Sequence, residues 1–300
     1  MGDPMEAEGP DGAPAPVTVG TDGSPEADEA VAWAADEAAR WRRPLRIVFA
    51  LDTWPFNDEY ASPELKAEAA GLGQEELRLA RRVAQARQPD VPVTSAVLHG
   101  APLHVLQLEA ERASTLVVGH KGAGGFGGML VGSTAAFLAG RTAGPLVVVR
   151  GVHDGAAGTG HDEVLAGTDL SDASLDALRY AAEAAAQRGA RLRVVHAYRV
   201  PPALVRIVSP LDLAGVEERA RAALKAACAP VRTRHPDLAV TETVVRDHPV
   251  SALSAASATA DLVVLGSRGR GTITAALLGS VGHGVLRHGG CPVAIIGARP

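Results

Sequence analysis

Thr115-Leu116-Val117-Val118-Gly119-His120-Lys121-Gly122 is followed ten residues on by Gly132-Ser133-Thr134. The pattern returns as Leu262-Val263-Val264-Leu265-Gly266-Ser267-Arg268-Gly269, followed by Gly279-Ser280-Val281. Gly119 and Gly266 stand 147 positions apart, and so do Gly132 and Gly279. Each run is too uniformly apolar for a half-exposed strand and fits a central parallel strand covered on both faces. Each ends in a glycine-rich turn that leads into a helix. A strand, a glycine turn and a helix start, met twice in one register, point to a duplicated α/β unit.

Working outward, the same offset pairs Asp22 with Asp169, Ser24 with Ser171, and Trp33 with Tyr180. It also pairs Ala50 with Ala197, Pro102 with Pro249, Leu106 with Leu253, and Pro145 with Pro292. One register held from Asp22 to Pro145 is duplication, not chance likeness of two loops. The expected organisation is a disordered tail over 1–14, a first domain over 15–150, a flexible Gly/Ala-rich linker over 151–160 and a second domain over 161–298.

In the first copy, Val17–Gly20 reads as a strand. Ser24-Pro25-Glu26 supplies an N-cap, a proline in the first turn and an acid for the helix dipole. A helix over Pro25–Arg40 puts Ala27, Ala30, Val31, Ala34 and Ala38 on one face. The expectation continues with strand Leu45–Ala50, helix Glu64–Arg87, strand Val91–Val97, helix Pro102–Arg112 and strand Thr115–Gly119. Helix Ser133–Gly140 and strand Leu146–Val149 close the copy, and the second copy repeats the order from Val164 to Ile296. The fold class is therefore α/β: two tandem Rossmann-like copies of a five-stranded parallel sheet, in flavodoxin-type strand order, with helices on both faces.

Composition narrows the partners. Three hundred residues suit two domains, and 21% charged residues with 47% hydrophobic ones argue against disorder over most of the length. A net charge of -5 argues against nucleic acid as the main partner. Two cysteines, Cys228 and Cys291, make neither a disulfide framework nor a metal motif, so the expected compartment is the cytoplasm. The start lacks the basic and apolar regions of a signal peptide, and no apolar stretch approaches the ~18 residues that span a bilayer. No membrane partner is expected.

In an open parallel sheet, ligands sit beyond the carboxyl ends of the strands, where strand order reverses. The acidic turn Gly20-Thr21-Asp22-Gly23-Ser24 and the glycine loop after the fourth strand should meet there. Gly119 and Gly122 let backbone N–H groups approach an anion with no Cβ in the way. Gly132, Ser133 and Thr134 open the next helix, so its N–H groups face the same anion. Lys121, one of three lysines in the chain, can neutralise a phosphate. Gly266, Arg268, Gly269, Gly279, Ser280 and Val281 offer the same roles in the second copy.

The spacing Gly-x2-Gly-x9-Gly-Ser, met in full twice, resembles the ATP-binding signature of the universal stress protein family. Asp22 and Asp169 after the first strands, and Cys291-Pro292-Val293 entering the last, are similar to that family too. The resemblance covers both copies. It implies that Asp22 and Asp169 contact the adenosine part of ATP, and that Ala50 and Ala197 meet adenine through their backbones. It implies ATP, with Mg2+ as an accompanying ion, as the ligand. It also implies pairing of fifth strands across a pseudo-twofold, here within one chain, with a homodimer as a further assembly. This chain departs from the pattern where His120-Lys121 replaces Ser-Arg. Gly100-Ala101-Pro102 becomes Asp247-His248-Pro249 in the second copy, and Gly23 becomes Leu170. A carboxylate at Asp247 would disfavour a polyanion if it points into the crevice.

Other readings compete. Gly122-Ala123-Gly124-Gly125-Phe126-Gly127 matches GxGxxG, but it follows the fourth strand and not the first, where the dinucleotide fingerprint belongs. No P-loop and no GxSxG elbow occurs. The glycine loops could be tight turns without a ligand, Asp22 and Asp169 plain Asx-turn residues, and Ser133 and Ser280 plain N-caps. His283 and His288 read as surface or capping residues, Cys291 as a buried small hydrophobe, and Arg78, Arg81, Arg82 and Arg87 as a solvated helix face. Neither loop comes with an evident general base or metal-ligand set, so no catalytic residue and no metal ligand is assigned. The expected function is an ATP-binding regulatory or stress-response protein and not an enzyme, with slow hydrolysis or autophosphorylation still compatible. The alternatives are an adenine-nucleotide α-hydrolase-like enzyme that adenylates a substrate, and a nucleotide-independent interaction scaffold.

Overall fold

A computed structural model describes residues 14–52, 62–124, 130–142, 144–150, 160–200, 210–269 and 278–297. Most of the expected tail and linker, and residues 125–127 of the GxGxxG match, lie outside them. The chain divides into two compact units, with the boundary between residues 153 and 154.

The first unit runs β1 (Val17–Thr21), α1 (Pro25–Trp41), β2 (Leu45–Leu51), α2 (Pro63–Arg87), β3 (Val93–His99) and α3 (Pro102–Ala110). It ends with β4 (Thr115–Gly119), α4 (Ser133–Leu138) and β5 (Leu146–Val149). Ser24 caps α1 as its sequence suggests, its Oγ accepting the Ala27 N–H at 3.2 Å. The small alanines of α1 let the helix lie close on the sheet, and Ala30, Val31, Ala34 and Ala38 are fully buried. β4 and β5 are buried along nearly their whole length, as expected of strands covered twice.

Every pairing in the unit is parallel. β1 pairs with β2 on one side and β4 on the other, β2 pairs with β3, and β4 with β5. The order is therefore 3-2-1-4-5, which corrects the flavodoxin-type order, 2-1-3-4-5, expected from sequence. The reason is visible in β3, whose residues are all intermediate or exposed. With Thr94 and Ser95 in it, this strand belongs at an edge, beyond β2, and not inside the sheet beside β1. The chain winds outward through β2 and β3, then crosses back to β4 on the far side of β1. With right-handed crossovers, α1 and α2 cover one face and α3 and α4 the other, and the α1–α2 and α3–α4 packing follows. The reversal point lies between β1 and β4.

The second unit repeats this plan. It comprises β6 (Glu163–Gly167), α5 (Asp172–Arg188), β7 (Arg191–Ala197), α6 (Pro210–Arg234) and β8 (Val240–Val245). After these come α7 (Pro249–Ser257), β9 (Leu262–Gly266), α8 (Ser280–His288) and β10 (Val293–Ile296). β6 lies between β7 and β9, with β8 beyond β7 and β10 beyond β9, all parallel. Cys291 and Cys228 are buried at 3% and 0% exposure.

The arginines of α2 do not form a purely solvated face. Arg78 pairs with Glu75 on the surface, but Arg87 grips Asp36 of α1 with a guanidinium-carboxylate contact of 2.7 Å. Gln88 donates to the same carboxylate at 2.7 Å. The end of α2 is thereby tied to the middle of α1. Among the described residues, no helix is long and apolar enough to cross a membrane.

Candidate functional site

At the reversal point of the first unit, the ends of β1, β2 and β4 open onto a cavity of about 450 Å³. That lies within the range of roughly 300–1,000 Å³ common for small-molecule sites. Asp22, Ala50, Gly119, Lys121, Gly122, Gly132, Ser133 and Thr134 all line it. These are all eight site residues that the first copy's sequence singles out. The charged side chains on the wall are Asp22 and Lys121. The rest of the surface is glycine, hydroxyl and aliphatic.

The turn after β1 aims the carboxylate. Asp22 Oδ1 accepts the Ser24 N–H at 3.1 Å and the Ser24 O–H at 2.6 Å, an Asx turn that leads into the N-cap of α1. Asp22 Oδ2 accepts the Ala123 N–H at 2.8 Å. The turn role and the cavity position are therefore combined in one residue, and the carboxylate clasps the glycine loop of β4. A Cβ on Gly122 would collide with Asp22 Oδ2, and one on Gly119 would come within 2.8 Å of the Glu26 carbonyl. The loop can approach the turn only without side chains at these two positions.

The far end of the loop is fixed as well. Gly132 donates its N–H to the His120 carbonyl at 2.7 Å and is the N-cap of α4. No side chain caps this helix. The first-turn residues Ser133, Thr134 and Ala135 border the cavity, where N–H groups at a helix start suit an anion. His120, between the loop glycines, has its Nδ1 buried. Its pKa is lowered, first by burial and then by the nearby Arg150 and Lys121 charges. A neutral imidazole therefore stands beside the loop's cation.

The apolar wall was not foreseen. Val48, Leu106, Val118 and Ala27 line the cavity, and Leu106 closes so tightly on β1 that a Cβ on Gly20 would lie 2.8 Å from it. A leucine on an apolar helix face carries no mark separating a site wall from ordinary core.

The second unit places its residues in the same register. Asp169 follows β6, Ala197 ends β7, Gly266 ends β9, Arg268 and Gly269 follow it, and Gly279, Ser280 and Val281 open α8. Ser171 donates to Asp169 Oδ1 through both its N–H and its O–H. The Gly279 N–H reaches the Ser267 carbonyl at 2.9 Å. A Cβ on Gly269 would meet Asp169 Oδ2 at 2.6 Å, and one on Gly266 the Ala173 carbonyl at 2.8 Å. The turn and both ends of the loop thus keep the first copy's geometry.

The copies also differ. Leu170 occupies left-handed backbone at φ 64°, where Gly23 sits at φ 77°. Leu265 replaces Val118 and would leave 2.5 Å to a Cβ on Gly167. Asp247 takes the His248 N–H at 2.6 Å and is exposed, its carboxylate bound back onto the helix start. Ser280 also borders a separate groove between α7 and α8. Among the described residues, no three His, Cys, Asp or Glu side chains come together as a metal site.

The sequence matches the universal stress protein family twice, over residues 15–150 and 161–297. A universal stress protein of Mycobacterium tuberculosis is 33% identical over 294 residues, covering 93% of this chain and 96% of that one. A Mycolicibacterium smegmatis universal stress protein is 32% identical over 292 residues, covering 94% and 97%. The crystal structure of a universal stress protein from Archaeoglobus fulgidus is similar with a TM-score of 0.67 at 20% identity, covering 95% of this chain and 97% of that one.

Proposed function

Because the chain belongs to the universal stress protein family, we propose that it is a regulatory, stress-response protein that binds ATP in the crevice of its first unit. The observation that carries this reading is the convergence of eight sequence-singled residues on one cavity. In this reading the glycine loop and the start of α4 present N–H groups to the phosphates, and Lys121 offsets their charge. Asp22 meets the ribose, and adenine rests against the Val48, Leu106 and Val118 wall beside the backbone of Ala50. Mg2+, when present, is held mainly by phosphate oxygens. The second unit's turn and loop support a second site, with Arg268 as its cation. ATP serves as a signal held by the fold and not as fuel for turnover, in a cytoplasmic protein. Pairing of the two repeats within one chain, and of two chains in a homodimer, belongs to the same reading, and sedimentation equilibrium tests the homodimer.

Nucleotide content and stoichiometry test the proposal. The purified protein is denatured, released nucleotide is identified, and the stripped chain is titrated with ATP by calorimetry. Two ATP per chain, with one lost in Gly132→Val and one in Gly279→Val, supports both sites. One ATP lost only with Gly132→Val confines binding to the first unit. No binding of ATP, ADP or AMP removes the function and leaves the fold. Turnover of ~1 per second or faster, abolished by the double variant, would overturn the non-enzymatic reading.

A further inference from the structure

The two repeats share a register, so a feature that only one of them carries stands out against its own template. On α2 of the first unit, Glu68, Leu72, Glu75, Leu79, Arg82 and Ala86 follow one another at steps of four and three residues. That spacing sets them in a seam along one side of the helix, about 27 Å long. All six are exposed. Leu72 and Leu79 are large hydrophobic side chains left 65% and 41% accessible. The opposite side of α2, with Leu77, Ala80 and Ala84, is buried in the unit's own core.

The second repeat shows that the fold does not require these leucines. In the 147-residue register, Arg219 stands at the place of Leu72 and Ala226 at that of Leu79, both exposed on α6. Single exposed leucines are ordinary on a protein surface. Two of them seven residues apart on one seam, in one repeat only, have the spacing with which helices meet helices.

Charge gives the seam a direction. From Glu64 to Glu76, α2 carries four glutamates and Lys66, and from Arg78 to Arg87 four arginines and no carboxylate. The helix dipole favours that order only within the first and last turns. It does not account for Glu68, Glu75, Arg78 and Arg82, which lie further in. Arg81 turns back to the Val93 carbonyl at 3.0 Å and Arg87 to Asp36, whereas Glu68 and Arg82 stay on the exposed seam.

We infer that this face of α2 is the contact through which two copies of the chain pair, antiparallel, about a twofold axis midway between Leu72 and Leu79. Leu72 of each copy then meets Leu79 of the other, and Glu68 lies beside Arg82 of the other. Glu75 comes near its own copy at the axis, where its bond of 2.7 Å from Arg78 of the same helix offsets the like charge. A parallel pairing would set like charges against each other along the whole seam. A twofold interface is one patch that complements itself, and an acidic half, a leucine centre and a basic half make such a patch. The proposal rests on the homodimer named in the reading above, supplies its surface, and is independent of nucleotide.

Sedimentation equilibrium of the full chain over a wide concentration range is the test. The expected result is a reversible dimer with a dissociation constant on the order of 10–100 μM, weaker at high salt. Leu72→Arg with Leu79→Ala, which installs the residues of the second repeat, should raise that constant about tenfold or more. Glu68→Arg alone and Arg82→Glu alone should each weaken pairing about threefold or more, and the two together should restore it. Every substitution lies at an exposed position, and unchanged circular dichroism verifies the fold of each variant. A dimer that none of the variants weakens leaves the homodimer standing and overturns this surface. No recovery in the double charge variant overturns the antiparallel contact. A monomer at every concentration overturns the surface and the homodimer together.

Discussion

Arg42 and Leu170 hold left-handed backbone, at φ 51° and 64°, where the other repeat has a glycine. Left-handed φ costs an L-residue roughly 1–2 kcal/mol, and glycine returns part of that through its freer unfolded chain. Arg42 caps α1 at an exposed position, and its counterpart Gly189 sits at φ 63° with nothing within 4 Å of an added Cβ. Arg42→Gly should therefore raise stability by about 0.5 kcal/mol and Gly189→Ala lower it by about 1, measured by urea unfolding. His120 supplies a pH test. Its pKa is lowered, so as pH falls below about 6.5 the unfolded chain takes up a proton that the folded chain refuses. Stability is lost on acidification through that window, and His120→Ser, the residue of the second repeat, should flatten the loss in pH-dependent urea midpoints. The polar half of the crevice was legible because glycines, an aspartate and a cation at fixed spacing have few other uses. Val48, Leu106 and Val118 were not, since aliphatic residues look alike in a wall and in a core.

Among elements, the alternation of strand and helix reported the parallel sheet, but alternation alone does not state which strands are neighbours. The position of β3 beyond β2 rests on its half-exposed pattern, which a sequence with Val93, Ala96 and Val97 in it shows only weakly. Likewise Arg87 looked solvated on its own helix, because its partner Asp36 lies 51 residues away on α1. Asp36→Ala should cost about 1–2 kcal/mol, the exposure of Arg87 keeping the loss moderate, and should raise amide exchange at the C-terminal turns of α2 first. The groove between α7 and α8 was unreadable for the same reason, each helix carrying only half of it. Gly119→Ala and Gly266→Ala press a methyl against the carbonyls of Glu26 and Ala173. Each should loosen the first turn of the helix it strikes, α1 or α5, at about 1–3 kcal/mol, read from exchange of that turn's amides.

At the scale of the whole chain, the sequence distributes its reporters unevenly. All tryptophans fall in the first repeat and both cysteines in the second. Burial pushes the thiols up, Cys228 to about 11 and Cys291 to about 12. Neither should react with a thiol reagent at mildly alkaline pH until the second unit opens. Because the unfolded thiols ionise first, stability should fall as pH rises from about 9 towards those values. Tryptophan fluorescence follows the first unit instead. ATP at a hundredfold its dissociation constant should stabilise that transition by about 2.7 kcal/mol, and Gly132→Val should abolish the shift.

The bond from Ala123 to Asp22 has a consequence in time as well as in space. It joins two segments 101 residues apart at the mouth of the crevice, and a ribose hydroxyl would claim the same oxygen. A carboxylate oxygen has lone pairs for more than one donor, so a ligand hydroxyl would join the clasp and need not break it. Under the proposed function the clasp would be shared and not exchanged, and a bound hydroxyl would hold turn and loop together for as long as it stays.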